Sequence, residues 1–126
     1  MTMIEAIGRL DALRHNTFSQ EEKIQWLNQV DSLVHQEVIS THEGACDFRP
    51  YDAQTPLEQT LLVPSPYDEL YLHYLEAQMD YYQGETDRYN RSMGMFQSVL
   101  TAYINHYNRT HLPLGQRFRY FAGGGQ

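Results

Sequence analysis

Six histidines and one cysteine are the residues in this chain with the most chemistry to offer. Their spacing argues against using it. His35 and His42 lie seven apart, and His106 and His111 straddle the end of a helical pattern. Neither pair has the four-residue spacing with an intervening Glu that a metalloprotease helix needs. His73 and Glu76 read His-x-x-Glu, the reverse of the Glu-x-x-His pairs of a di-iron bundle, which also needs two further Glu. Cys46 has no second cysteine for a disulfide or a zinc site, and fits a reducing, intracellular origin. Ser40, Ser65, Ser92 and Ser98 lack the glycine elbow of a hydrolase. Gly123-Gly124-Gly125 has no following helix to present to a phosphate. The expectation is a protein with no catalytic residues, no metal and no cofactor.

The elements that carry these residues read as helices. Thr2 and Glu5 form a capping box ahead of a helix over 3–15, with Ile4, Ile7, Leu10 and Leu13 recurring at helical spacing. Ser19 and Glu22 form a second box ahead of a helix over 20–42. Ile24, Leu27, Val30 or Asp31, Val34 and Val38 mark its inner face, with Trp26, Leu33 and Ile39 beside it. Gly44 ends it. Residues 44–64 hold Pro50, Pro56 and Pro64 and no helical period, so they read as a long loop. In it, 46–49 and 60–63 could pair as a small hairpin. Ser65 as cap and Pro66 at the first helical position start a third helix over 66–83. Asp68 and Glu69 suit the positive end of its dipole, and Gly84 breaks it. A fourth helix over 86–109 carries Tyr89, Met93, Phe96, Leu100, Tyr103 and Tyr107, spaced 4-3-4-3-4 as a heptad seam. The fold class is all-α: a compact bundle of about four helices, residues 1–111, followed by an extended C-terminal arm, 112–126.

Eight of the ten tyrosines fall on the last two helices. Tyr74, Tyr81, Tyr89 and Tyr103 are expected in the core. Two helices cannot bury every ring of two stripes, so Tyr67, Tyr71 and Tyr82 are expected to meet another chain. In the arm, Arg117 and Arg119 alternate with Phe118, Tyr120 and Phe121. An extended strand would put the arginines on one face and the rings on the other. Such a segment is a docking arm for a neighbouring subunit's acidic half or for a different protein.

Charge is distributed unevenly along the chain. All sixteen acids lie between Glu5 and Asp87, against four cations in residues 1–87, a balance of −12. Beyond Asp87 there are five arginines, including Arg109, and no acid. The net charge of −7 disfavours a general nucleic-acid binder. The split itself would favour head-to-tail contact in a ring of identical subunits. The longest apolar runs, such as Leu61-Leu62-Val63, are too short to span a bilayer, and no signal peptide is visible.

The stretch Leu62-Val63-Pro64-Ser65-Pro66-Tyr67-Asp68-Glu69-Leu70-Tyr71, continuing through Tyr74-Leu75-Glu76-Ala77-Gln78-Met79-Asp80 and Asp87-Arg88-Tyr89-Asn90 to Tyr107-Asn108-Arg109-Thr110-His111, resembles the head–tail connector (adaptor) proteins of tailed phages. The resemblance implies a helical domain in a ring, dodecameric in the family, under the portal at the capsid vertex. Its implied partners are the portal protein, identical subunits, the next neck or tail protein, and genomic DNA passing without sequence specificity. No membrane is involved, and the implied location is the virion neck, with assembly in the host cytoplasm. Arg109 and the arm residues Arg117, Phe118, Arg119, Tyr120 and Phe121 are the expected docking residues. Another neck, head-completion or tail-completion protein is the nearest alternative. A DNA-binding regulator or a small metalloenzyme bundle fits less well.

Overall fold

In the computed structural model, which describes residues 1–114, both capping boxes are formed. The Thr2 hydroxyl accepts from the Glu5 amide (3.2 Å), and the Glu5 carboxylate accepts from the Thr2 amide (3.0 Å). They open α1, Met3–Leu13. Ser19 and Glu22 make the same exchange and open α2, Gln20–Glu37. A 3-10 turn follows at Ile39–Thr41, then a long irregular segment, then α3, Glu69–Tyr82, and α4, Thr86–Thr110. The chain is all-α, and among the described residues there is no strand, only two isolated bridges. Helix α3 packs against the other three helices, and α4 packs chiefly on α3.

The helix ends differ from expectation for local reasons. Helix α1 stops at Leu13 rather than 15, because the Asn16 amide turns back to the Arg14 carbonyl and the Asp11 carboxylate (both 3.0 Å). Helix α2 stops at Glu37 rather than 42. There the Ser40 and Thr41 hydroxyls take the Gln36 and Val38 carbonyls (2.8 and 2.7 Å), the kind of side-chain competition that loosens a helix end. Ser65 is not a helix cap. The Ser65–Pro66 peptide is cis, residues 64–71 turn through three-residue bonds such as Tyr67 N–H to Pro64 C=O (3.0 Å), and the α-helix begins only at Glu69. Gly44 and Gly84 take the left-handed backbone (φ 75° and 74°) where the second and third helices give way.

The inner faces are close to those read from periodicity, with shifts. In α1 the buried side chains are Met3, Ala6, Ile7 and Leu10, while Ile4 and Leu13 are exposed. Leu33, expected beside the inner face of α2, is also exposed. The α4 seam holds, with Phe96, Leu100, Tyr103 and Tyr107 buried and Tyr89 and Met93 half-buried.

The hairpin within 44–64 does not form. Residues 57–61 instead run beside the N-terminus. Ile4 N–H donates to Leu57 C=O (2.9 Å), Met3 N–H to Gln59 C=O (3.0 Å) and Leu61 N–H to Met1 C=O (2.9 Å). The first N–H groups of a helix lack intrahelical acceptors, and the loop supplies them to α1. At the other end, Glu43 N–H donates to Leu112 C=O (2.8 Å) beside an antiparallel bridge between His42 and Pro113. The segment expected to leave the domain at 112 is therefore pinned to it through Pro113. Arg117, Phe118, Arg119, Tyr120 and Phe121 lie outside the described residues.

Candidate interaction surface

The three tyrosines expected to face another chain have three different fates. Tyr71 is fully buried, which overturns that expectation. Its hydroxyl donates to the Asp31 carboxylate (2.5 Å) and accepts from Val63 N–H (2.8 Å). Tyr67 is half-buried, its ring beside Tyr103 and His106. Tyr82 is 62 % exposed, with its ring stacked over Trp26 (centroids 6.1 Å, planes 18° apart). Tyr81, expected in the core, is equally exposed and packs edge-on to Tyr82. Tyr74 is half-buried and Tyr103 buried. Trp26, Tyr81 and Tyr82, with half-buried Phe18 and Tyr89, form an aromatic cap at the α3–α4 turn.

Asp31, which the helical period offered with Val30 for the inner face of α2, has a role that the pattern did not assign. It is wholly buried and accepts three hydrogen bonds: Tyr51 O–H (2.5 Å), Tyr71 O–H (2.5 Å) and Leu62 N–H (3.0 Å). Burial pushes its pKa up, and the three donors oppose the shift. The same burial, with the facing carboxylate, pushes both phenols up, so they stay protonated donors. The node ties α2 to the loop at Tyr51 and Leu62 and to α3 at Tyr71. Its only sequence signal was an acid at a position where the period calls for an apolar side chain. Its saturation by structural donors makes it a fastener rather than a reactive group.

His35, His42 and His111 are likewise engaged. His42 is buried between the Val38 carbonyl (2.6 Å) and the Asn108 side chain (2.8 Å), which joins the end of α2 to α4. His35 bonds the Cys46 carbonyl (2.7 Å) and stacks on Phe48. His111 stacks on Tyr107 at 3.8 Å. A cleft of about 270 Å³ lies between Ile39, Cys46, Leu62, Tyr103 and His111. Burial, with neighbouring Tyr107, pushes the Tyr103 phenol there up to about 12. Among the described residues no three His, Cys, Asp or Glu side chains converge to hold a metal, and no buried polar side-chain atom lacks a partner.

The described ion pairs are Met1 amine–Asp68, Arg9–Glu69, Arg14–Asp80 and Lys23–Asp11, all within α1, α2 and α3 or the turn before α3. Arg88, Arg91 and Arg109 of α4 are exposed and take part in none of them. No helix among the described residues is long and apolar enough to cross a membrane. No family model, curated protein or solved structure matches the chain.

Proposed function

We propose that this chain is a non-enzymatic structural subunit of a tailed-phage virion. It is a head–tail connector that assembles with identical copies into a ring beneath the portal, extends the DNA channel and offers a platform to the next neck or tail protein. The observation that carries this reading is the charge split in three dimensions. Arg88, Arg91 and Arg109 of α4 find no carboxylate among the described residues of their own chain, so their share of the charge asymmetry is open to another chain. Opposite charges exposed on different helices of one subunit favour head-to-tail association of identical subunits. The resemblance of residues 62–112 to connector proteins supplies the setting.

The C-terminal arm supplies the docking element, with Arg117 and Arg119 for carboxylates and Phe118, Tyr120 and Phe121 for an apolar groove. Because Leu112 and Pro113 belong to the fold, the informative truncation removes 115–126 and not 112–126. That protein is expected to keep its helical circular dichroism and melting temperature but to lose co-purification with the portal protein encoded in the same gene cluster. Undiminished portal capture by the truncated chain would refute the arm, and loss of the helical fold would show that the arm belongs to the core.

A further inference from the structure

Helix α4 has an outer face of unusual composition. Between Arg91 and Arg109 it carries no Asp, Glu, Lys or Arg. Arg91, Met95, Ser98, Ala102, Asn105 and Arg109 recur at 4-3-4-3-4 spacing on the side opposite the Phe96–Tyr107 seam, and all six are exposed. An exposed helix face normally carries charge. Here charge is confined to the two ends, about 27 Å apart at the helical rise, and it is positive at both. Asp87 lies just before Arg88, in the first turn.

Helix α2 presents the counterpart. Its most outward strip reads Glu22, then Gln25, Gln29, Leu33 and Gln36, then Glu37, while Glu21 lies about 100° round the helix from Glu22 and off the strip. The two charged residues between those ends are directed elsewhere: Lys23 is buried against Asp11, and Asp31 is buried in the node. This face is charge-free over about 22 Å, with carboxylates at both ends. None of Glu21, Glu22 and Glu37 takes part in the described ion pairs. The two faces agree in length to within one helical turn, both have small or uncharged centres, and their ends carry opposite charge. Both are exposed on one rigid domain, so neither can cover the other within a chain. An α4–α4 contact between copies would set arginine against arginine at the ends, and an α2–α2 contact would set carboxylate against carboxylate.

We infer that the outer face of α4 in one copy docks on the outer face of α2 in the next copy of this chain. Arg91 and Arg109 reach the carboxylates at the two ends of α2. This rests on the reading of the chain as a ring subunit and names the contact that builds the ring. The contact is heterologous, so it repeats from copy to copy and closes or propagates instead of stopping at a dimer. The end pairs are exposed to solvent, so assembly weakens as salt rises through about 0.1–1 M.

The test is a charge swap in the full-length protein, read by analytical ultracentrifugation at low salt. Wild type is expected to form oligomers. Glu22→Lys/Glu37→Lys and Arg91→Glu/Arg109→Glu are each expected to be folded monomers, because each meets its own kind as like charge. Mixed in equal amounts they are expected to reassemble, alternating, into oligomers of even subunit number. Ala102→Arg, an exposed change in the middle of the face, is expected to weaken self-association about tenfold or more through an unpaired charge. It also carries the test if a double variant fails to fold. A monomeric wild type would overturn the contact. So would double variants that assemble like wild type, mixtures that stay monomeric, or unchanged association in Ala102→Arg. Variants that assemble normally but lose portal capture would also overturn it, by assigning the face to the portal while leaving the connector reading in place.

Discussion

Asp31→Ala is expected to lower the unfolding free energy by about 3–6 kcal/mol, the largest effect of any single polar change in this chain. The Ala variant leaves the Tyr51 hydroxyl and the Leu62 amide without their acceptor. The Tyr71 hydroxyl keeps only its bond from Val63. Each stranded buried donor costs about 1–3 kcal/mol, partly offset because the desolvated carboxylate is gone. Asp31→Asn keeps one acceptor oxygen for Tyr51 and Leu62 and sets an amide N–H against the Tyr71 hydroxyl, which can accept it, so this variant is expected to cost less than Asp31→Ala. Urea melts of the three proteins separate the cases. An Ala variant within about 0.5 kcal/mol of wild type would mean that the node does not fasten the loop.

The same node sets a pH dependence whose sign follows from its raised pKa. Just above the ordinary value of 3.8, native Asp31 still holds a proton that the unfolded chain has released. Its stabilising contribution is therefore complete below that value and is lost as pH rises through the native pKa. The stability difference between wild type and Asp31→Asn is expected to shrink in favour of the variant as pH climbs from about 4 toward neutrality. Asp11, held low chiefly by its bond from Lys23, and Glu5, held low chiefly by the Thr2 amide, act in the opposite sense. Both are present in wild type and variant, so they cancel in the difference. A difference that stays flat or grows with pH would contradict a desolvated carboxylate.

Phe96→Ala is expected to cost about 3–5 kcal/mol. The ring is 2 % exposed at the centre of the α4 seam and lies 5.0 Å from the Tyr74 ring. Rigid neighbours on α3 and α4 cannot close the space it would vacate. The adjacent Met95 points outward, so Met95→Ala should stay within about 0.5 kcal/mol of wild type under monomeric conditions. Chemical melts of both variants give the contrast. Equal effects at 95 and 96 would mean that the seam has been assigned to the wrong side of the helix.

That contrast marks how much the sequence conveys. A helix period separates Met95 from Phe96 because neighbouring residues point about 100° apart, and the 4-3-4-3-4 spacing was enough to choose between them. The capping boxes at Thr2–Glu5 and Ser19–Glu22 were legible for a similar reason: donor, acceptor and spacing all lie within four residues. The acidic and basic halves are likewise a property of the linear chain.

The fates of Tyr71 and Tyr82 were not legible, because they depend on partners far away in the chain. Eleven residues are three turns, so both lie on one side of α3 and look alike to any periodic reading. Position along the axis separates them. Asp31 and the loop cover Tyr71, whereas Tyr82 sits beyond that cover among the rings of Trp26, Phe18 and Tyr81 and stays exposed. Ser65 had a good local reading as a cap and lost it to the turns through 64–71. The loop strands were read as pairing with each other, but the unfilled N–H groups of α1 were the better match for 57–61. Sequence by itself determined which segments are helices, where two of them begin and which side of α4 is apolar, since these are local preferences repeated over many residues. Tertiary structure alone decided where the loop is fastened, which tyrosines are covered, and that the outer faces of α2 and α4 stay open with opposite charges at their ends. Those outcomes follow from contacts between residues tens of positions apart, which no local pattern encodes.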